Sequence, residues 1–276
     1  MSAKGWKYYN HAMLPTCAPH ETPDLRSVKD GSIWHMKDKG MPVFARWISD
    51  WDCGYETKFW YIIKDTPLDI NTLKSKRRYE IKKGTKNFNV RKINPEEYAE
   101  EICDCAVEAY KAYSEKDRPF IDKEEFIFSI INEWSSHTVF AAFNIEGKLC
   151  AYAELEDYGS YVDFFAQKSI PTYEKYAVNA ALVKGILDYY NERLATRDFY
   201  ISDGSRTIRH ESHFQDYLEK YFDFRKAYCI LNIELRPTVK LPLMLLKSCR
   251  NVIDKLDCST AHNILSLLQM MEMTGK

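Results

Sequence analysis

The densest run of chemically able side chains in this sequence is Asp203-Gly204-Ser205-Arg206-Thr207-Ile208-Arg209-His210-Glu211-Ser212-His213. Arg206 and Arg209 carry planar guanidinium forks that match phosphate or carboxylate oxygens in pairs. His210 and His213 titrate near neutral pH and can carry a proton. The run follows an expected strand at 198–202 and opens an expected helix at 210–222. That is the position where α/β sheets seat ligands. Ser205, Arg206, Arg209 and His213 are therefore candidate binding residues and His210 a candidate catalytic one. The plain alternative is a hydrated turn with surface arginines.

Carboxylates set into expected strands come second. Glu154 and Glu156 alternate onto one face of a strand at 148–157, and Asp163 lies on the next strand, 161–167. A partly dry carboxylate binds its proton more tightly, which suits a general base near pH 7. Asp163 and Glu154 are the candidate bases, against the alternative of a solvated sheet face. The third feature is the basic stretch 74–86, in which Lys74, Arg78 and Lys82 share one helical stripe and Arg77 starts the next. With Arg77 and Arg78 as its centre, it suits a phosphate-rich partner or a plain solvated face.

The rest of the composition bounds these readings. The net charge of −1 gives no global field, so any polyanion site must be local. Eight cysteines are scattered without a Cys-x-x-Cys pair or a ladder of histidines. No metal site is expected, and reduced thiols in a cytoplasmic protein are. Residues 1–6 hold no apolar run, so no secretory leader is expected, and no stretch nears the roughly 18 apolar residues of a membrane span. An aromatic fraction of 14% with only 10 glycines predicts a packed body.

The elements that must position these residues can be read in order. Residues 1–42, punctuated by Pro15, Pro19, Pro23 and Gly31, predict an irregular lead-in packed through Trp6, Tyr8, Tyr9 and Trp34. Strand-like runs at 43–51 and 58–64 look like a hairpin. A helix is expected at 68–83, ended by Gly84. A strand at 88–93 is followed by helices at 95–113 and 122–134. Three strands joined by tight turns, 138–144, 148–157 and 161–167, form an antiparallel meander. A long helix at 171–194 precedes the 198–202 strand, the 210–222 helix and a strand at 226–235. In the last segment Ile264, Leu267, Leu268 and Met271 form an apolar stripe.

From Phe88 the order is β-α-α-β-β-β-α-β-α-β, and it resembles the GNAT acyltransferase fold across residues 88–236. The corner Phe222-Asp223-Phe224-Arg225 resembles the helix-to-strand turn where that family often carries Gly-Phe, with Asp223 in the glycine's place. With the basic helix ahead of it, the chain looks similar to the Fem-type aminoacyl transferases and to related bacterial envelope and polysaccharide enzymes. The resemblance implies an α/β (α+β) fold with a mixed, largely antiparallel sheet flanked by helices. It also implies an N-terminal extension at 1–87, an acyltransferase domain at 88–236 and a helical appendage at 237–276. Where CoA-binding GNAT enzymes carry a glycine-rich loop, this chain has Gln167-Lys168-Ser169-Ile170-Pro171-Thr172-Tyr173-Glu174, without glycine.

The implied activity is N- or O-acyl transfer to an amino sugar, peptide or related envelope precursor by direct attack. Acyl-CoA and aminoacyl-tRNA both stand as donors, with no metal. A main-chain N–H near Phe164, Phe165 or Ala166, where two strands splay, would meet the negative charge formed on the carbonyl oxygen. Aligned on Asp223-Phe224, Glu219 takes the slot of the family's tyrosine acid with Tyr217 and Tyr221 on either side, so Tyr221 is the candidate proton donor, against the alternative that both tyrosines are core packing. The rival readings are a non-catalytic binding or scaffold module and RNA binding through 74–92.

Overall fold

The computed structural model describes residues 5–35, 40–115, 118–207, 213–248, 250–256 and 258–275. It is a mixed α/β protein whose ten strands, among the described residues, pair mostly antiparallel. The chain forms two compact units, neither contiguous in sequence. One gathers residues 1–61, 205–212 and 226–276, and the other residues 62–204 and 213–225.

In the first unit, β1 (Trp6–Tyr9) and β2 (Ala12–Pro15) form a hairpin. The expected irregular lead-in is thus partly strand, because His11 and Asn10 take up the positive φ angles that a two-residue turn needs. Trp6 and Trp34 are buried with Met13, Ile33 and Ala45, whereas Tyr9 is 59% exposed and is not one of the packing residues. A short helix, α1 (Arg26–Lys29), follows.

β3 (Phe44–Ser49) does not form the expected hairpin with β4 (Phe59–Lys64). It pairs instead with β10 (Arg225–Leu235) along Phe44–Ser49. The connecting segment is tied to the same strand: Cys53 N–H donates to the Tyr228 carbonyl, and the Thr57 hydroxyl to that of Cys229. The helices α8 (Pro237–Ser248), α9 (Arg250–Ile253) and α10 (Ser259–Glu272) close this unit. Leu267, Leu268 and Met270 are buried with Phe44, Phe59, Cys229 and Leu231, so the C-terminal helices share a core with the N-terminal strands.

The second unit carries the meander. Its strands run in the order β9-β8-β7-β6-β5, built from β5 (Asn89–Ile93), β6 (Thr138–Phe143), β7 (Leu149–Asp157), β8 (Tyr161–Ser169) and β9 (Tyr200–Ser205). All pairs are antiparallel except β8–β9, which is parallel. Every residue of β6 is buried, because helices cover both faces. On one side α3 (Ala99–Tyr110) and α4 (Lys123–Glu133) bring Ile102, Ala106 and Ile130 onto Val139 and Ala141. On the other, Phe140 meets Tyr190, which caps α5 (Val178–Tyr189). Asp122 starts α4 by accepting from the N–H groups of Glu124 and Glu125. The expected single helix at 171–194 is broken into a 3-10 turn at Pro171–Tyr176, a left-handed residue at Ala177, then α5 and the short α6 (Asn191–Leu194).

The basic helix α2 (Ser75–Asn87) starts later than expected and runs through Gly84 rather than stopping there. A Cβ at Gly84 would sit 2.5 Å from the Ala177 carbonyl oxygen and 2.8 Å from the Ala181 nitrogen. The glycine is therefore a contact point, letting α2 lie backbone to backbone against the first turn of α5. The expected stop also fails because a helical glycine costs only about 1 kcal/mol, which packing outweighs.

A test follows from that contact. Gly84→Ala is expected to destabilise the protein by about 1–3 kcal/mol in urea unfolding, since the colliding atoms are backbone. Alanine's better helix propensity, about 1 kcal/mol, acts the other way. The exposed neighbour Thr85→Ala should be neutral or slightly stabilising. A Gly84→Ala protein as stable as the parent would show that α2 and α5 are not closely packed.

Candidate functional site

The parallel pairing of β8 with β9 lasts three residues: Tyr161 with Tyr200, Val162 with Ile201, and Asp163 with Ser202. β8 then continues for six more residues, to Ser169, with no strand on that edge among the described residues. The parting coincides with a β-bulge. Across β7, Glu154 faces Ala166 and Leu155 faces Phe164, so Phe165 is the extra residue. A bulge bends its strand and sharpens its twist, and this one lies just where β8 leaves its parallel neighbour.

α7 (His213–Phe222) and the start of α5 wall the gap this opens. The resulting open cavity of about 390 Å³ is lined by Phe164, Phe165, Ala166, Gln167 and Ser169 of β8. Asp203 of β9, Asn179 of α5, and His213, Phe214 and Tyr217 of α7 complete the lining. Phe164 is buried and packs edge-on to Phe214 at 5.7 Å, whereas Phe165 is 66% exposed.

The electrostatics of the gap are acidic. Burial pushes the Asp163 carboxyl up to about 6, the Ser202 hydroxyl and Gly204 N–H act against this, and the charge of Glu156 adds to it. Asp163 Oδ1 is buried with no hydrogen-bond partner. Asp203 is pushed up further, to about 7, by burial and then by the charge of Asp163, with Gln215 acting the other way. Two carboxyls in one half-dry gap cannot both ionise easily, so one holds a proton into the neutral range. Gln167 donates to Asn179 Oδ1 at 3.1 Å, and its own Oε1 is buried without a partner. The hydroxyl proton of Tyr217 is held more tightly than usual by burial, by Glu80 and by Tyr221.

Glu154 is 2% exposed and bonds to Nδ1 of His137, which precedes β6. Its proton affinity is raised by burial, lowered by His137 and raised again by Glu156.

The remaining sequence candidates fall as follows. Tyr221 stacks on Tyr217 at 4.9 Å, and Tyr217 rather than Tyr221 lines the cavity. Ser205 and Arg206 belong to the first unit. There the Arg206 guanidinium donates to the Lys58 carbonyl at 2.7 Å and lies 4.4 Å over the Trp60 ring, so its fork is taken up by protein. Arg209 and His210 lie outside the described residues. Arg77 and Arg78 are half-buried on α2, where Arg78 donates to the Asn71 carbonyl, and neither lines the cavity. Sequence reasoning did not single out His137, Gln167, Asn179 or Asp203. They converge only through strand register and helix packing, although Asp203 sits in the run first noticed.

At the helix-to-strand corner, Asp223 adopts φ +58°, the left-handed backbone a glycine would supply. Its carboxylate lies 3.5 Å from Nζ of the fully buried Lys64, which also donates to the Thr66 hydroxyl. The aspartate therefore fills the turn and faces a buried cation.

No family model matches the chain, and no curated protein matches it. Among solved structures, the C-terminal domain (DUF2156) of a putative lysylphosphatidylglycerol synthetase from Agrobacterium fabrum superposes with a TM-score of 0.51 at 10% identity. That likeness covers 87% of this chain and 82% of the other. L-PGS from Bacillus licheniformis gives 0.49 at 14% identity, covering 88% and 83%. FemX gives 0.47 at 12% identity, covering 68% and 64%. The fold is GNAT-like.

The acidic pair yields a prediction. A carboxyl whose folded pKa is raised favours the folded state while protonated. That contribution is complete below the unfolded value near 4 and is lost as pH rises through about 7 for Asp203. Asp203→Asn should therefore raise the melting temperature over the parent more at pH 8 than at pH 5. A gain of order 1 kcal/mol, roughly 2–4 °C, is expected at pH 8. An equal difference at both pH values would rule out a strained acid pair.

Proposed function

We propose that this chain is an acyltransferase whose reaction takes place in the gap between β8 and β9. The parting of the two strands at Asp163, with the bulge at Phe165 beside a tightly held carboxyl, is the observation that carries the reading. A donor carbonyl laid along the free edge of residues 164–166 would have main-chain N–H groups to receive its developing negative charge. Asp163 or Asp203, each with a pKa near neutrality, would take the proton from an attacking nucleophile. Tyr217, whose hydroxyl keeps its proton, would donate to the leaving group.

Two buried acceptors without donors, Asp163 Oδ1 and Gln167 Oε1, favour a nucleophile rich in N–H groups, so an amine is preferred over a hydroxyl. An amino sugar or a peptide amine fits. For the donor, the segment before α5 offers no glycine, Ile170 is buried, and α2 lies against the first turn of α5 through Gly84. All three leave little room for a diphosphate cradle of the CoA kind, which favours an aminoacyl donor. The name of the Agrobacterium neighbour, a putative lysylphosphatidylglycerol synthetase, agrees with that preference. Among the described residues no helix is long and apolar enough to cross a membrane and no cluster of side chains suits a metal ion.

The test pairs acetyl-CoA and aminoacyl-tRNA as donors with an amino sugar and a peptide amine, reading transfer by mass spectrometry. Transfer should occur, and Asp163→Asn should lower kcat/KM about 10²–10⁴-fold without lowering the melting temperature at pH 8. If no donor reacts and none shifts the melting temperature, the chain is a non-catalytic module that kept the fold.

A further inference from the structure

We propose that His137 is a positioning residue, whose imidazole, clasped between Glu154 and Glu156 with its ring against Phe165, holds the bulge and sets the charge that Asp163 feels across the strand pair. The inference rests on reading Asp163 as the base of the gap.

The geometry is specific. His137 Nδ1 bonds to Oε1 of Glu154, and Nε2 lies 3.6 Å from Oε1 of Glu156. Only the Nδ1 contact is a hydrogen bond; at 3.6 Å the Nε2 contact is an electrostatic one, so the ring stands between two carboxylates. Glu154 faces Ala166 across the strands, immediately beside the extra residue of the bulge. The His137 ring lies 5.8 Å from that residue, Phe165. One imidazole thus touches the strand carrying the glutamates and the residue whose insertion parts β8 from β9. Glu156 is fixed from its other oxygen by the Tyr158 hydroxyl and stands directly opposite Asp163.

The charged groups that act directly on Asp163 are Glu156 from β7 and Asp203 from β9; Glu154 and His137, from β7 and ahead of β6, adjoin Glu156, and His213 of α7 shares the cavity with Asp203. Glu156 makes the Asp163 proton harder to remove, and a positive charge carried on His137 beside Glu156 would offset that effect. Removing the cation exposes the glutamates to Asp163, whereas removing the Glu156 charge relieves it. The two changes push in opposite directions.

The test is a carboxyl-carbon NMR titration of Asp163, assigned with Asp163→Asn, which reads the group whatever the reaction proves to be. His137→Gln and His137→Asn each keep an amide able to bond a glutamate but carry no charge. In either variant the Asp163 midpoint should rise by about half a pH unit or more, and in Glu156→Gln it should fall by a similar amount. Midpoints unmoved in folded His137 variants would overturn the proposal, even if Glu156→Gln shifts its own. Failure of both His137 variants to fold would overturn it too, since the residue would then be a structural necessity. Absence of acyl transfer with shifted midpoints would sink the transferase reading and leave this one standing.

Discussion

The structure around the site depends on one constraint: a parallel strand pair that ends after three residues. A strand buried on one edge and free on the other carries backbone donors with nowhere to go, and such groups are costly unless solvent or a ligand meets them. The bulge at Phe165 makes the parting local, because one extra residue rotates the rest of β8 relative to its neighbour. The cavity, the walls supplied by α5 and α7, and the strain on Asp163 and Asp203 follow from that departure. Had the two strands stayed paired to Ser169, the edge would be satisfied and the acids would have no gap to share.

The acids are the second consequence. Asp163 sits at the last paired position and Asp203 just beyond its partner Ser202, so register alone brings two carboxyls to the mouth of the gap. Their raised proton affinity is a loss of stability at neutral pH. Glu154 shows the other outcome. Its proton affinity is raised by burial too, but its partner is the titratable ring of His137, whereas Asp163 is held by the Ser202 hydroxyl and the Gly204 N–H and keeps one oxygen without a partner.

How much of this the sequence disclosed depends on the range of each interaction. The meander, the capped helix after Asp122 and the apolar stripe of α10 were legible because each is decided by neighbours a few residues apart. The hairpin expected between β3 and β4 failed because β10, nearly two hundred residues later, pairs with β3 in its place. Gly84 was taken for a stop because its real partner, the turn at Ala177, is invisible along the chain. Arg206 lies in the polar run 203–213, but its fork is spent on Lys58 and Trp60, which are distant in sequence. His137 gave no local signal at all: its meaning comes from the register that sets Thr138 against Leu155.

The same reasoning bears on the basic helix. In a chain of net charge −1, the lysines and arginines clustered on α2 sit on an element packed, through Gly84, against the first turn of α5. A helix start with free backbone amides can hold a diphosphate where glycines let it approach. Here Ala177 is left-handed without being glycine, Ile170 is buried and α2 occupies one side of the turn. The backbone amides of that turn are thus hemmed in, while the side-chain cations lie on the adjoining helix. Lysines on exposed stems tolerate more varied geometry in a partner than a fixed backbone cradle does.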